Sequence, residues 1–452
     1  MRQGLLFRAA LLFGFGCSEL QSQTTSPASQ SVDPVKAASA SDAPAPQTSP
    51  QETWVGAPRD ISDAVEAAGL RLPVGFDATV FGDLEGKARH IVVRENGDVF
   101  VSVLEPNRIV GMRDTNGDGR ADLVRAFEGG GGTGLALNGG YLYYSSTTAV
   151  FRRKLDAAEL LPSNPAETVV SGFPEQRQHA VKTLTFDGEG RLYVNVGAPS
   201  NACQKEARTA GSPGLKPCPQ LARQAGVWRF PSATGLTQFD GRRVVTGTRN
   251  MVALEFNHGN GQLYGVQHGR DQLNTLFPDL YDAGDNAELP SEEFLVLHEG
   301  FVGGWPYTYY DHRRKERMVA PEYGGDGETA TTEDYPDPIY AFPGHYAPND
   351  LVFYRGAMFP QRFRDGAFIA FHGSWNRAPL PQKGYQVVFV PMSGSEASGR
   401  AEVFADGFAG KTPLRSSGEA EHRPTGLAVG PKGALFIADS VEGMVYRITH
   451  EG

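Results

Sequence analysis

The chain is short of cysteine, of cationic excess and of long apolar runs, and each shortage removes a class of protein. Three cysteines in 452 residues cannot staple a disulfide-dense scaffold or fill a cysteine-rich metal module. Lys and Arg total 42 against 52 for Asp and Glu, a formal net charge of -10, which argues against a nucleic-acid partner that basic side chains would have to hold. The apolar run at the N-terminus, within MRQGLLFRAALLFGFGC, is too short to span a membrane permanently. Also missing are the Ser-His-Asp, paired-carboxylate and phosphate-loop signatures of hydrolases and kinases.

What is abundant points to β-structure. Fifty-five glycines and 31 prolines coexist with 40% hydrophobic and 10% aromatic residues, the composition of a turn-dense protein with a large core. Gly97, Gly140, Gly190, Gly261, Gly366 and Gly433 open the segments GDVFVS, GYLYYS, GRLYVN, GQLYGV, GAFIAF and GALFIA. Each reads as a tight turn feeding a short buried strand, and its return at long intervals marks a repeat architecture. The pattern predicts an all-β fold, a six-bladed β-propeller over residues 58–452. The glycine-led strands are expected to be innermost, and the surplus length to leave one face as long loops, where function collects.

Residues 1–17 read as an export signal, with Arg2 and Arg8 flanking the apolar run. Cys17 resembles the lipid-bearing cysteine of bacterial lipoproteins, with plain signal cleavage as the alternative. Residues 18–57, rich in Ser, Thr, Pro and Ala, hold almost no large apolar side chain and are expected to form a disordered tether. The expectation is a bacterial protein exported to the periplasm or anchored at the outer membrane, touching a membrane only through that lipid. Cys203 and Cys218 share one Gly- and Pro-bearing loop and are expected to form a disulfide, the alternative being two free thiols.

Polar residues just upstream of the repeats should converge on one rim of the channel. They are Arg89 and His90, His179 and Lys182, Arg249 and Asn250, His345 and Asn349, and His422 and Arg423, joined by His268-Gly269-Arg270-Asp271 and His372-Gly373-Ser374-Trp375-Asn376-Arg377 beyond two of the strands. Each alone reads as a solvated or capping residue; recurrence at equivalent positions favours a pocket. Several cations with imidazoles suit an anionic ligand and proton transfer near neutral pH, and a bound redox cofactor would supply what the side chains lack. Separately, Asp114, Asn116, Asp118 and Asp122, with the Arg120 carbonyl, match the first half of a calcium loop. Arg125 stands where its bidentate Glu belongs, and a plain hairpin turn is the alternative.

These residues resemble the soluble quinoprotein glucose and sorbosone dehydrogenases, six-bladed propellers that use pyrroloquinoline quinone (PQQ) with calcium. The resemblance runs from Leu70 to Ile448 and rests on HAVKTLTFDGEGRLYVNVG, TRNMVALEF, VQHGRDQL, GGWPYTYYD, FIAFHGSWNRAP and RPTGLAVGPKGALFIAD. It implies that His179 is the catalytic base and that Arg249 and Asn250 contact the quinone. It further implies that His268, Arg377, Lys383 and Arg423 help hold the cofactor, that Gly269 and Arg270 hold the active-site calcium, and that Arg89 lies near the substrate. Glucose-active members commonly carry Gln-Gly-Pro where this chain has His268-Gly269-Arg270, which places it nearer the sorbosone-type branch. The implied activity is oxidation of an aldose or sorbosone-like sugar, with electrons passed to a periplasmic acceptor. The competing readings are a calcium-dependent sugar-lactone hydrolase and a non-catalytic propeller that binds a glycan or protein, with Trp305, Tyr307, Tyr309 and Tyr310 as a candidate surface.

Overall fold

The computed structural model describes residues 64–451. The export signal, Cys17 and the linker lie outside them. Six sheets follow one another as blades, each with four antiparallel strands, in sequence order in the first five. The first blade is Ala88–Val93, Val99–Val103, Arg108–Arg113 and Leu123–Glu128, and the second is Leu135–Asn138, Tyr141–Ser145, Val150–Lys154 and Glu167–Ser171. The third is Leu184–Phe186, Leu192–Val196, Gly226–Phe230 and Arg242–Thr246; the fourth is Ala253–Asn257, Gln262–Gln267, Glu292–Leu297 and Tyr340–Phe342. The fifth is Pro348–Phe353, Ala367–Phe371, Gln386–Val390 and Glu402–Ala405. The sixth takes Pro424–Val429, Leu435–Asp439 and Met444–His450 from the C-terminal end and closes with Phe76–Asp83 from the N-terminal side. That pairing turns a row of sheets into a ring with no free end blade.

The order within a blade corrects the expectation about the glycine-led segments. The first strands of the six blades, not these, contact one another around the axis. The glycine-led strand is the second in every blade, buried on both faces between its neighbours, as in the all-buried Val99–Val103, Leu192–Val196 and Ala367–Phe371. The glycines therefore turn the chain at the rim away from the first strands' starts. Gly97 and Gly433 adopt φ of 93° and 91° there, where a side chain would be strained.

Starts of first strands and ends of second strands share the opposite rim. In blades one, two and six the second-to-third connections there are tight turns, at 104–107, 146–149 and 440–443. In blades three, four and five they are long, at 197–225, 268–291 and 372–385. The first of these loops carries the Cys203–Cys218 disulfide, packed against Ala198, Ala225 and Trp305. The expected long loops on one face are thus supplied by three consecutive blades.

Candidate active site

On the long-loop rim a cavity of about 480 Å³ is lined by Arg89, His179, Arg208, Arg249, Asn250, His268, Gly269, Asp271, Glu292, His345, His372, Trp375, Asn376 and Arg423, among others. Seven residues singled out in the sequence for catalysis or binding meet here: Arg89, His179, Arg249, Asn250, His268, Gly269 and Arg423. Arg249 comes just before the first strand of blade four and is almost fully buried. Its guanidinium donates to the Gly269 carbonyl at 2.8 Å and to Asp271 at 3.0 Å.

Asp271 is the electrostatic centre of the rim. It accepts from Arg208 at 3.0 Å and from Asn376 at 2.9 Å as well. Burial raises its pKa, but the charges of Arg249, His345 and Arg208 outweigh that and hold it below the usual carboxylate range. The sequence reading gave Asp271 no role, and it missed Arg208. That arginine lies within the long second-to-third connection of blade three, away from the offsets the repeat marks, so the repeat carried no signal for it.

His179 has φ of +50°, and Gln176 clamps its carbonyl together with those of Gln178 and Gly197. Its Nδ1 lies 2.7 Å from the Ala198 carbonyl. A carbonyl only accepts, so Nδ1 carries the proton and Nε2 keeps its lone pair. Nε2 makes no hydrogen bond among the described residues. Burial first and then the nearby Arg249 push the His179 pKa down to about 3, so the ring is neutral at physiological pH. Burial likewise lowers His268 to about 4, and lowers His345 and His372.

Two cations in the cavity have no carboxylate partner. Arg423 donates to the carbonyls of His372 at 2.9 Å and Gly373 at 2.6 Å, and Arg89 makes no side-chain hydrogen bond among the described residues. Burial and then repulsion by Arg423 lower Arg89 to about 10. Two like charges crowded in one pocket, neither of them ion-paired to a carboxylate among the described residues, favour an anionic ligand. A planar quinone tricarboxylate such as PQQ fits this donor set.

Other expected site residues lie elsewhere. Arg377 is fully buried, paired with Glu288 at 2.6 Å and turned to the carbonyls of Ala287 and Gly344, so it is consumed by structure. Lys383 faces a neighbouring cavity of about 810 Å³ with Tyr385, Lys411 and His422, and His422 pairs with Asp439. Arg270 points its guanidinium to Glu322. His90 lies in the channel below, its Nδ1 2.8 Å from the Thr133 carbonyl, and the buried Lys182 bonds the Ala180 carbonyl. Tyr309 and Tyr310 are buried, as is Trp305, which packs on the disulfide loop.

The Gly269 carbonyl does not fit calcium, because its oxygen already accepts from the Arg249 guanidinium, which would repel a cation there. Among the described residues no group of three or more His, Cys, Asp or Glu side chains converges for a metal. In the 114–122 segment, Asp114 accepts from the Gly117 and Gly119 amides, Asp118 accepts from Arg120, and Asp122 accepts from Thr115. These are the bonds of a self-capped hairpin turn, the alternative reading. The Cys203–Cys218 disulfide is formed as expected.

Fold and site together define a six-bladed propeller with a cationic, histidine-lined cavity at one end of its channel. Comparison with known proteins narrows the class. The TrAA12-like family model matches residues 71–301 and 310–451, and the chain belongs to that family. A pyrroloquinoline quinone-dependent pyranose dehydrogenase of Coprinopsis cinerea is 26% identical over 245 residues, 46% of this chain and 31% of its own. A protein of Borreliella burgdorferi is 28% identical over 211 residues, 46% of this chain and 48% of its own, so the chain matches less than half the length of these curated relatives. Among solved structures, the holo PQQ domain of the Coprinopsis cinerea pyranose dehydrogenase superposes with a TM-score of 0.63 at 19% identity, covering 84% of this chain and 97% of that one. The Trichoderma reesei Carbohydrate-Active Enzymes Family AA12 protein superposes with a TM-score of 0.66 at 18% identity, covering 87% and 98%. At these identities the superpositions establish a fold shared with PQQ-dependent sugar dehydrogenases.

Proposed function

We propose that the protein is a PQQ-dependent oxidoreductase that oxidises an aldose or sorbosone-like sugar. The observation that carries the reading is the pairing, in one cavity, of a neutral histidine with a free Nε2 and two guanidinium groups without carboxylate partners. Arg423 and Arg89 would hold the carboxylates of the cofactor, and Arg249, fixed by Asp271, would donate to it together with Asn250. Bound PQQ supplies a quinone that accepts hydride. His179 Nε2 takes the proton of the sugar hydroxyl as hydride leaves the adjacent carbon, and the Nδ1–Ala198 bond keeps the ring aimed. Trp375, 58% exposed at the cavity mouth, offers an apolar face to a sugar ring. No step is assigned to calcium.

The rest of the proposal follows from the N-terminal sequence. The protein is exported, anchored through a lipid on Cys17, and passes electrons to a periplasmic acceptor. A calcium-dependent lactone hydrolase would need free carboxylates around a metal, whereas Asp271 is held by three side chains and Glu292 accepts from the Gly269 and Ala347 amides.

The test is His179→Ala. PQQ binding, read by quenching of protein fluorescence, should stay within a few-fold of the parent, while sugar-dependent dye reduction falls about a thousand-fold, the scale of a lost general base. Undiminished turnover would remove His179 from the mechanism. A parent chain that bound no PQQ would sink the dehydrogenase reading itself.

A further inference from the structure

Asn201 lies in the loop between the second and third strands of blade three and is 1% exposed. Five hydrogen bonds meet on it. Its Oδ1 accepts from Arg249 Nη2 at 3.0 Å and from the Asp271 amide at 2.9 Å, and its Nδ2 donates to the Asp271 carbonyl at 2.9 Å. Its own carbonyl accepts from Arg249 Nε at 3.2 Å and from the Trp305 indole at 3.1 Å. The side-chain amide thus pairs with the backbone of Asp271 as a strand neighbour would, while the same residue takes up two of the guanidinium's donors.

The loop around it is fixed from both sides. Ser200 Oγ donates to Gln220 at 2.7 Å and accepts from the Cys203 amide at 3.0 Å, and Cys203 is tied to Cys218. A segment anchored by the adjacent disulfide therefore presents one amide group to two cavity residues that flank the first two strands of blade four. We propose that Asn201 is a positioning residue, which sets the Arg249 guanidinium and the Asp271 backbone relative to each other and so shapes the anion-binding wall of the cavity. Without its side chain, the Asp271 amide loses its acceptor, the Asp271 carbonyl keeps only its bonds from Arg270, and Arg249 Nη2 loses one of two acceptors. The bonds to the Asn201 carbonyl survive any substitution, so the loop keeps its path and the guanidinium gains freedom.

The first readout is independent of any cofactor. In the full-length protein, Asn201→Ala should raise phenylglyoxal labelling of Arg249, quantified by peptide mass spectrometry, about ten-fold or more, the scale of one lost hydrogen bond to a charged group. Labelling of Arg377, buried against Glu288 outside the cavity lining, should not change. Asn201→Asp keeps the Oδ1 acceptor for Arg249 and the Asp271 amide and should restore most of the protection. Equal labelling of Arg249 in parent and Ala variant overturns the proposal. So does a parallel rise at Arg377 without rescue by Asp, which would mark general loosening.

The second readout rests on the proposed function: PQQ affinity should fall about ten-fold in the Ala variant and recover in the Asp variant. If the parent binds no PQQ, that function fails while the labelling still decides the role of Asn201. If the parent binds PQQ and the Ala variant binds it equally, the positioning role fails alone.

Discussion

The two ends of the central channel are built from the same first strands and carry different charged groups. At the long-loop end, burial first and the charge of Arg249 after it hold the imidazoles neutral, with His179 pushed down to about 3 and His268 to about 4. At the glycine-turn end, a cavity of about 250 Å³ is lined by His90, Thr185, Glu255, His258 and Asp350. There burial pushes both Glu255 and Asp350 up to about 8, with the charge of Asp350 adding to the effect on Glu255. Burial acts alike at both ends, lowering His90 to about 4 beside these acids and raising Glu292 to about 8 in the long-loop cavity; what differs is that guanidinium groups line only the long-loop cavity. The difference comes from the segments that start the first strands, which bring Arg89, Arg249 and Arg423 to one rim, joined by Arg208 from a long loop, while short glycine turns leave the other with what the strands carry.

The largest expected effect comes from breaking the loop that only one end possesses. Replacing Cys203 and Cys218 together by Ala should destabilise the protein by about 3 kcal/mol, the chain-entropy value for a loop of this size, read as a lowered urea midpoint. PQQ binding should weaken with it, because Arg208 and Asn201 both ride on that loop, and unaltered binding would separate the loop from the site.

Next comes Arg423→Met, which removes one of the two cations without a carboxylate partner. The affinity for PQQ should fall about 10- to 100-fold, as for a lost charge-assisted hydrogen bond, with melting temperature held or raised because a buried charge is gone. A drop in stability with full affinity would make Arg423 a structural arginine like Arg377.

The smallest effect belongs to the carboxylate end and sharpens the contrast through pH. Glu255 has a folded pKa raised from the usual 4.5 to about 8, so the stability it contributes is complete below about 4.5 and is lost as pH rises through 8. The histidines of the other end, lowered from 6.5, contribute stability above 6.5 that is lost as pH falls through their folded values. Glu255→Gln keeps the acceptor for the Thr185 hydroxyl and should change stability at pH 6 by less than about 1 kcal/mol. It should flatten the decline in melting temperature between pH 6 and pH 9 without touching the acid limb. An unchanged alkaline slope would show that Glu255 is ionised in the native protein.

Much of this was legible in the chain. Because each blade repeats the same strand order, residues at equivalent offsets fall on one rim, and that is why Arg89, His179, Arg249 and Arg423 could be gathered before any coordinates. Periodicity could not say which strand of a blade the glycines open, since a fully buried second strand and an innermost strand have the same apolar composition. Nor could it rank the cations. Arg377 sits two residues from the cavity residue Trp375, yet its guanidinium is claimed by Glu288, and the Gly269 carbonyl expected for calcium is claimed by Arg249.

The sequence by itself therefore determined the all-β repeat, its six blades and the composition of the rim, because turns and strands are written in local pattern. Only the tertiary structure decided which charges are free to meet a ligand. Asp271, Glu288 and Glu322 are brought from elsewhere in the chain to neutralise Arg249, Arg377 and Arg270, while no carboxylate reaches Arg89 or Arg423 among the described residues. Pairing of that kind acts over a few ångströms in space and leaves no mark along the chain.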